Sequence, residues 1–134
     1  SKVVISNCVF DGTNRGIRLK SSRGRGGVVE DIRISNIVMR NIKNEAIVMD
    51  LMYSNMPVEP LSERTPIFRD IHVSGLASRA VKTPIFIRGR DEAPISDVSL
   101  RDINIQSREK PQFLNYKNLS LTDVTINGQT ITLE

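Results

Sequence analysis

Ile34-Ser35-Asn36-Ile37-Val38-Met39 is the stretch that decides the fold, because close variants of it recur along the chain. Copies of the pattern begin at residues 5, 34, 73, 100 and 121, which gives spacings of 29, 39, 27 and 21 residues. Each copy alternates apolar and polar residues and is rich in β-branched side chains, which favours a strand over a helix. A strand pattern that returns every 20 to 40 residues is typical of a solenoid.

The third position of each copy carries a second signal. Only three residue types stand there, and all three tolerate the left-handed backbone region. We therefore predict that the backbone bends in the same way in every copy; the alternative is that these residues only mark loops. The five positions are Asn7, Asn36, Gly75, Asp102 and Asp123.

A second strand pattern follows each bend, so that one copy consists of strand, bend, strand and loop. These strands are predicted at residues 16–20, 46–53, 84–88, 113–116 and 131–133, the last two from weaker patterns. The sequence therefore predicts a single all-β domain, a parallel β-helix of about five coils. The proline-containing segment 54–66 is predicted as a loop beside the repeat, and Asn127-Gly128 predicts a tight turn or hairpin that closes the last coil.

Composition narrows the classes of function. The chain has 134 residues, 39% of them hydrophobic, with no Trp and one Cys, so the core is aliphatic and an internal disulfide is excluded. No apolar run approaches the ~20 residues of a membrane helix. Residues 1–29 contain six basic residues and one acidic residue, whereas the rest of the chain contains 13 and 14. This local positive charge predicts a polyanionic partner, either an acidic polysaccharide or a nucleic acid.

The basic stretch Gly16-Ile17-Arg18-Leu19-Lys20 is the candidate binding site. In a strand, Ile17 and Leu19 face one side, while Arg18 and Lys20 face the other. An arginine fits a planar carboxylate through two hydrogen bonds, and a lysine adds a point charge. The alternative interpretation is an ordinary solvated face of a strand.

Catalytic candidates are few. Hydrolysis of a glycosidic bond needs two carboxyl groups on either side of it, but the adjacent pairs Glu30-Asp31 and Asp91-Glu92 would point to opposite faces of a strand and are predicted as turn residues. Asp50 is expected to line the groove as a lone carboxylate. His72 is expected to project outward as a solvated or coil-stacking residue. No catalytic residue, metal site or cofactor is predicted from these residues.

Two parts of the chain resemble a known family. Residues 11–20, with Gly24-Arg25-Gly26-Gly27-Val28-Val29 and residues 32–39 behind them, closely resemble the bacterial polygalacturonase-like glycoside hydrolases (glycoside hydrolase family 28). Residues 65–73 are similar to the same family, and the resemblance runs essentially end to end. It implies a right-handed parallel β-helix that acts on pectic polysaccharide, in a parent protein that is secreted or periplasmic.

The resemblance also assigns substrate-binding residues. Arg18 and Lys20 match the Arg-Ile-Lys element of the family, which is thought to bind the carboxylate of galacturonate; Leu19 replaces the isoleucine here. Tyr53 matches the substrate-contacting tyrosine. Because strand 46–53 is expected to stack on strand 16–20, Tyr53 is expected near Lys20.

The chain departs from the family where catalysis is concerned. The Asn-Thr-Asp, Asp-Asp and Gly-His-Gly segments of the family precede the Arg-Ile-Lys element, and none occurs in this sequence. We therefore expect residues 1–134 to be the C-terminal coils of a truncated β-helix domain, inactive alone. The alternative is a non-catalytic β-helix module that binds acidic polysaccharide or associates with other coils, including its own copies, through an open coil edge. Nucleic acid and membrane are not expected as partners.

Overall fold

The computed structural model describes residues 2–20, 27–51 and 67–133, and every regular element in these ranges is a β-strand. Among them no helix is long and apolar enough to cross a membrane. The strands are β1 (Val3–Asp11), β2 (Ile17–Lys20), β3 (Val28–Val29), β4 (Ile32–Arg40), β5 (Glu45–Asp50), β6 (Ile67–Val81), β7 (Thr83–Arg88), β8 (Ile95–Ser107), β9 (Gln112–Leu114), β10 (Tyr116–Ile126) and β11 (Gln129–Thr130).

The strands form two sheets between which the chain alternates. In the first sheet the order is β1-β4-β6-β8-β10, and in the second it is β2-β5-β7-β9. Neighbouring strands along both orders are parallel. Each turn of the chain therefore adds one strand to each sheet, which makes a right-handed parallel β-helix with five coils in the first sheet. The predicted fold is confirmed.

The repeat copies stack in phase despite their irregular spacing. The first residues of the five copies, at positions 5, 34, 73, 100 and 121, are direct partners from one coil to the next. A parallel register shifted by one residue would turn every core side chain outward. The core therefore fixes the register, and the connections between strands absorb the differences in coil length.

The bends predicted at the third position of each copy are confirmed. Asn7, Asn36, Gly75, Asp102 and Asp123 all have positive φ angles, between 53° and 70°. The structure adds a second column of bends that the sequence analysis missed, five residues earlier in four coils. It consists of Asp31, Asp70, Asp97 and Asn118, with φ angles of 54° to 56°.

The core lies between the two sheets and is aliphatic, as the composition indicated. Ile37, Leu76, Ile103 and Val124 form one continuous buried column, with each residue paired to the next. Among the described residues, Phe68 is the largest fully buried side chain. Burying a side chain of this kind contributes about 1.5–3 kcal/mol, so the stacked columns stabilise each coil against its neighbours.

The end of the chain corrects one prediction. Residues 131–133 do not form a strand; instead, β11 pairs with β10 in the antiparallel sense. The predicted turn at Asn127-Gly128 is confirmed, with φ angles of 53° and 80°. Two consecutive positive φ angles are the signature of the tight hairpin turn. This turn reverses the chain, so Gln129 and Thr130 run back along β10.

Candidate functional site

The outward face of the second sheet brings the predicted cations together with residues from two further coils. Ile17 is buried, and Arg18 and Lys20 point to the opposite side of β2. The parallel register places Val48 and then Phe86 beside Arg18, and it places Asp50 and then Arg88 beside Lys20. These outward-facing residues of the three strands line a cavity of about 170 Å³, together with Arg15 and Glu45.

One end of the cavity is organised by an ion pair between adjacent coils. Arg88 donates two hydrogen bonds to the Asp50 carboxylate, and the guanidinium also lies 5.1 Å from the centroid of the Phe86 ring. Asp50 is only 7% exposed. A carboxylate at this depth requires charged or hydrogen-bonding partners. Asp50 lines this cavity, although not as a lone carboxylate, because Glu45 lines it too; Arg88 is a lining residue that the sequence analysis missed.

A second carboxylate lies at the other end of the cavity. Glu45 is ion-paired with Arg15, at 3.1 Å between Oε2 and Nε. Glu45 and Asp50 begin and end the same strand, so their α-carbons are roughly 16 Å apart at about 3.3 Å per residue. Inverting glycosidases hold their two carboxyl groups ~6.5–9.5 Å apart. Glu45 and Asp50 therefore do not have the geometry of an acid and base pair.

The remaining predicted residues have different outcomes. Tyr53 lies outside the described residues, as do the glycine-rich residues 24–26 and the loop 54–66. Among the predicted turn residues, Asp31 has a φ of 56° and Glu30 contacts Arg69 at 3.1 Å. The described ranges contain no group of three or more His, Cys, Asp or Glu that could hold a metal ion.

His72 lies on the outside of the first sheet and connects neighbouring coils, as predicted. Its Nδ1 is hydrogen-bonded to the Ser99 hydroxyl of the next coil, and its Nε2 lies 2.8 Å from Asp70 Oδ1. Arg33 of the preceding coil contacts the same Asp70 oxygen at 3.3 Å. Serine, histidine and aspartate also form nucleophilic triads, but this aspartate is shared with an arginine and the cluster does not line the cavity. Its geometry is that of a polar link through three coils.

Similarity to known proteins agrees with the fold. Residues 1–125 match the family described as "Glycosyl hydrolases family 28". The chain therefore belongs to glycosyl hydrolases family 28.

Several curated relatives carry related names. The chain is 26% identical over 113 residues to an endo-polygalacturonase of Pectobacterium carotovorum subsp. carotovorum, and this covers 84% of the chain and 27% of the relative. It is 27% identical over 108 residues to a probable polygalacturonase of Arabidopsis thaliana, which covers 78% of the chain and 24% of the relative. It is 30% identical over 113 residues to an exopolygalacturonase of Rhizopus delemar, which covers 78% of the chain and 29% of the relative.

The chain thus spans about a quarter of the length of these relatives. No solved structure is significantly similar to it.

Proposed function

We propose that this chain is the substrate-recognition part of a pectin-degrading hydrolase of the polygalacturonase type. In this proposal the cavity on the second sheet binds the carboxylate of a galacturonosyl unit. The observation that carries the proposal is that Arg18 and Lys20 point into one cavity from the same strand. Membership in glycosyl hydrolases family 28 supports the class of reaction.

The two cations have complementary roles in this proposal. The planar guanidinium of Arg18 forms two parallel hydrogen bonds with a carboxylate, and the ammonium of Lys20 contributes charge at one end of it. Asp50 and Arg88 lie next to Lys20 in the same outward column. Their ion pair fixes one wall of the cavity, so the anion enters beside Lys20 and Arg18.

The acid and base of the hydrolysis are proposed to come from other coils of the full-length protein. Glu45 and Asp50 do not have the spacing of a catalytic pair, and both are engaged by arginines. We expect residues 1–134 alone to release no reducing sugar from polygalacturonate. We also propose that the full-length protein is secreted or periplasmic, where pectic polysaccharide is accessible.

The test is hydrolysis of polygalacturonate by the natural full-length polypeptide and by its Arg18→Ala and Lys20→Ala variants. A hydrogen bond to a charged group contributes about 1.5–3 kcal/mol, so we expect kcat/KM to fall roughly 10- to 150-fold in each. Arg101→Ala is the matched control, since Arg101 is an exposed arginine on the first sheet that does not line the cavity. Unchanged kinetics in both cavity variants would refute the proposed anion site.

A second candidate function is association with other β-helix coils, and one observation favours it. Within the described residues, β1 is the terminal strand of the first sheet, and its Val4 and Val9 are each 62% exposed. An edge strand offers unpaired backbone groups to another strand. Sedimentation of this chain distinguishes the alternatives: a module that associates through β1 forms dimers that Val4→Lys dissociates, whereas a concentration-independent monomer excludes self-association.

A further inference from the structure

Three arginines lie at or near the ends of strands in successive coils of the first sheet. Arg40 ends β4, Arg79 lies near the end of β6, and Arg108 follows β8 directly. Met39 pairs with Ser78, which puts Arg40 beside Arg79 one residue further on. A register shift between Ser78 and Val81 then staggers the next coil: Val81 pairs with Ser107, so Arg108 follows beside Lys82, but Arg79 and Arg108 line the same depression. All three side chains are exposed. They form a row that runs along the axis of the solenoid, which we call the arginine row.

The arginine row lines two adjoining depressions. The first has a volume of about 550 Å³ and lies between Arg40 and Arg79. The second has a volume of about 570 Å³ and lies between Arg79 and Arg108. Arg79 lines both, so the two depressions are neighbours, and together we call them the groove. This groove shares no lining residue with the cavity on the second sheet.

The charges of the row are not compensated. Within the part of the chain that the structure describes, none of the three guanidinium groups takes part in an ion pair. Elsewhere, cations on adjacent coils face carboxylates, as Arg88 faces Asp50 and Arg69 faces Glu30. Like charges on adjacent strands are destabilising. A group of three neighbouring cations therefore indicates a function that offsets their electrostatic repulsion.

The two nearby carboxylates already have other partners. Asp11 pairs with Arg40 in the strand register, but its Oδ1 accepts a hydrogen bond from Asn41 at 2.9 Å. Glu109, which follows Arg108, contacts Lys82 at 3.7 Å and Thr83 at 3.3 Å. Asp11 keeps its negative charge, but three guanidinium groups beside one such carboxylate leave the groove net positive, and a positive groove attracts anions.

We propose that the arginine row is a second binding site for acidic polysaccharide, separate from the cavity. Adjacent coils of a β-helix lie about 4.8 Å apart, so Arg40 and Arg79 present neighbouring guanidinium groups, and Arg108 adds a third across the second depression, to carboxylates carried along a polymer. Arginine forms two hydrogen bonds to a carboxylate, and the amide of Gln106 and the hydroxyl of Ser107 lie in the same groove for sugar hydroxyls. A site of this kind would hold a distant part of a chain whose other units occupy the cavity.

The lining of the groove favours a polysaccharide over a nucleic acid. Proteins that bind single-stranded nucleic acid usually stack its bases on aromatic side chains. Among the described residues, no aromatic side chain lines either depression. A polymer of uronic acids requires only charge and hydrogen bonds along its length, and both are present.

The test compares two triple variants of the natural full-length polypeptide. One removes the row (Arg40→Gln, Arg79→Gln, Arg108→Gln); the other removes the same charge from exposed cations outside the groove (Lys2→Gln, Arg101→Gln, Lys117→Gln). Binding is measured by calorimetry with polygalacturonate and with trigalacturonate. We expect the row variant to lose about tenfold in affinity for the polymer, the loss expected for three exposed ion pairs. Its affinity for trigalacturonate, and the control's affinity for both ligands, should change less than about twofold.

Equal losses in both triple variants would overturn the proposal, because net charge alone would then explain binding. Equal affinity of the wild-type protein for polygalacturonate and for single-stranded DNA of the same charge would also overturn it, since the site would then not select a polysaccharide. If the triple variant does not fold, Arg79→Gln alone, which affects both depressions, provides the same comparison. The outcome is independent of the cavity: Arg18→Ala affects trigalacturonate, whereas the row variant affects only the polymer.

Discussion

Arg88 donates from Nε to Asp50 Oδ1 at 2.9 Å and from Nη2 to Asp50 Oδ2 at 2.8 Å, across two adjacent coils. The two residues are direct partners in the parallel register, so the pair is formed by the stacking itself. Lys20 is the partner of Asp50 on its other side. A single buried carboxylate thus lies between two cations, and the geometry of the proposed anion site depends on it.

Loss of Arg88 is expected to destabilise the fold. Arg88→Ala leaves the buried Asp50 carboxylate without its bidentate partner, and breaking a buried pair costs about 3–5 kcal/mol. Because the Arg88 side chain is 32% exposed, we expect the lower part of that range or slightly less, about 2–3 kcal/mol. The measurement is the free energy of unfolding in urea, with Arg101→Ala as the exposed control. A cost below about 0.5 kcal/mol would show that the pair adds nothing beyond a surface contact.

Asp50→Asn separates positioning from simple charge. The substitution removes a negative charge from the cavity, so a purely electrostatic site would bind trigalacturonate more tightly. We expect the opposite, a loss of about fivefold to tenfold, because Lys20 and Arg88 lose the carboxylate between them. The control is Asp97→Asn, which removes the same charge from the first sheet. Tighter binding by Asp50→Asn would contradict the positioning role.

Gly16, which precedes β2, is expected to be intolerant of a side chain. A Cβ at this position would collide with the Met39 side chain and with the backbone oxygen of Ala46. We expect Gly16→Ala to cost about 1–3 kcal/mol, the usual range for overpacking. Gly12→Ala is the comparison, because Gly12 has a φ of 81° but no atom within 4 Å of an added Cβ; its cost should be only that of backbone strain, about 1 kcal/mol. Thermal unfolding of both variants measures the difference, and equal costs would show that the clash is relieved.

The bend at Asn36 predicts that a glycine variant is more stable than a valine variant at this position. Its φ is 56°, and its side-chain amide donates to Asn7 Oδ1 of the preceding coil. Asn36→Gly keeps the bend and loses the hydrogen bond, so we expect a cost of about 0.5–1.5 kcal/mol. Asn36→Val should cost at least about 1 kcal/mol more, because a β-branched residue strains in the left-handed region. Urea unfolding gives the order; a Val variant as stable as the Gly variant would contradict it.

The fold could be predicted from the sequence because each coil repeats its pattern locally. The alternation around Ile34 and the bend residue at Asn36 are visible within six residues, and stacking follows from their recurrence. The strand that carries Arg18 and Lys20 was predicted for the same reason, since alternation alone assigns their common face.

What the sequence did not reveal depends on contacts between coils. Arg88 belongs to the site only because the register places it beside Asp50, 38 residues away. The arginine row is also spread over three coils. Its charge is hidden in the sequence because, outside residues 1–29, basic and acidic residues are almost equal in number. Its signal was nonetheless present, since Arg40 and Arg79 both end copies of the repeat. The second column of bends likewise could have been found from the spacing of five residues between Asp31 and Asn36.

The strands stay in register although the coils differ in length, and this determines which parts of the sequence can be exchanged. Since the core columns alone set the phase, segments between strands can be replaced by grafting without moving the strands on either side. Residues 41–44, between β4 and β5, form one such connection, directly before the strand that carries Asp50. New specificity can therefore be introduced there by swapping a single connection, while the barrier to unfolding remains with the stacked coils.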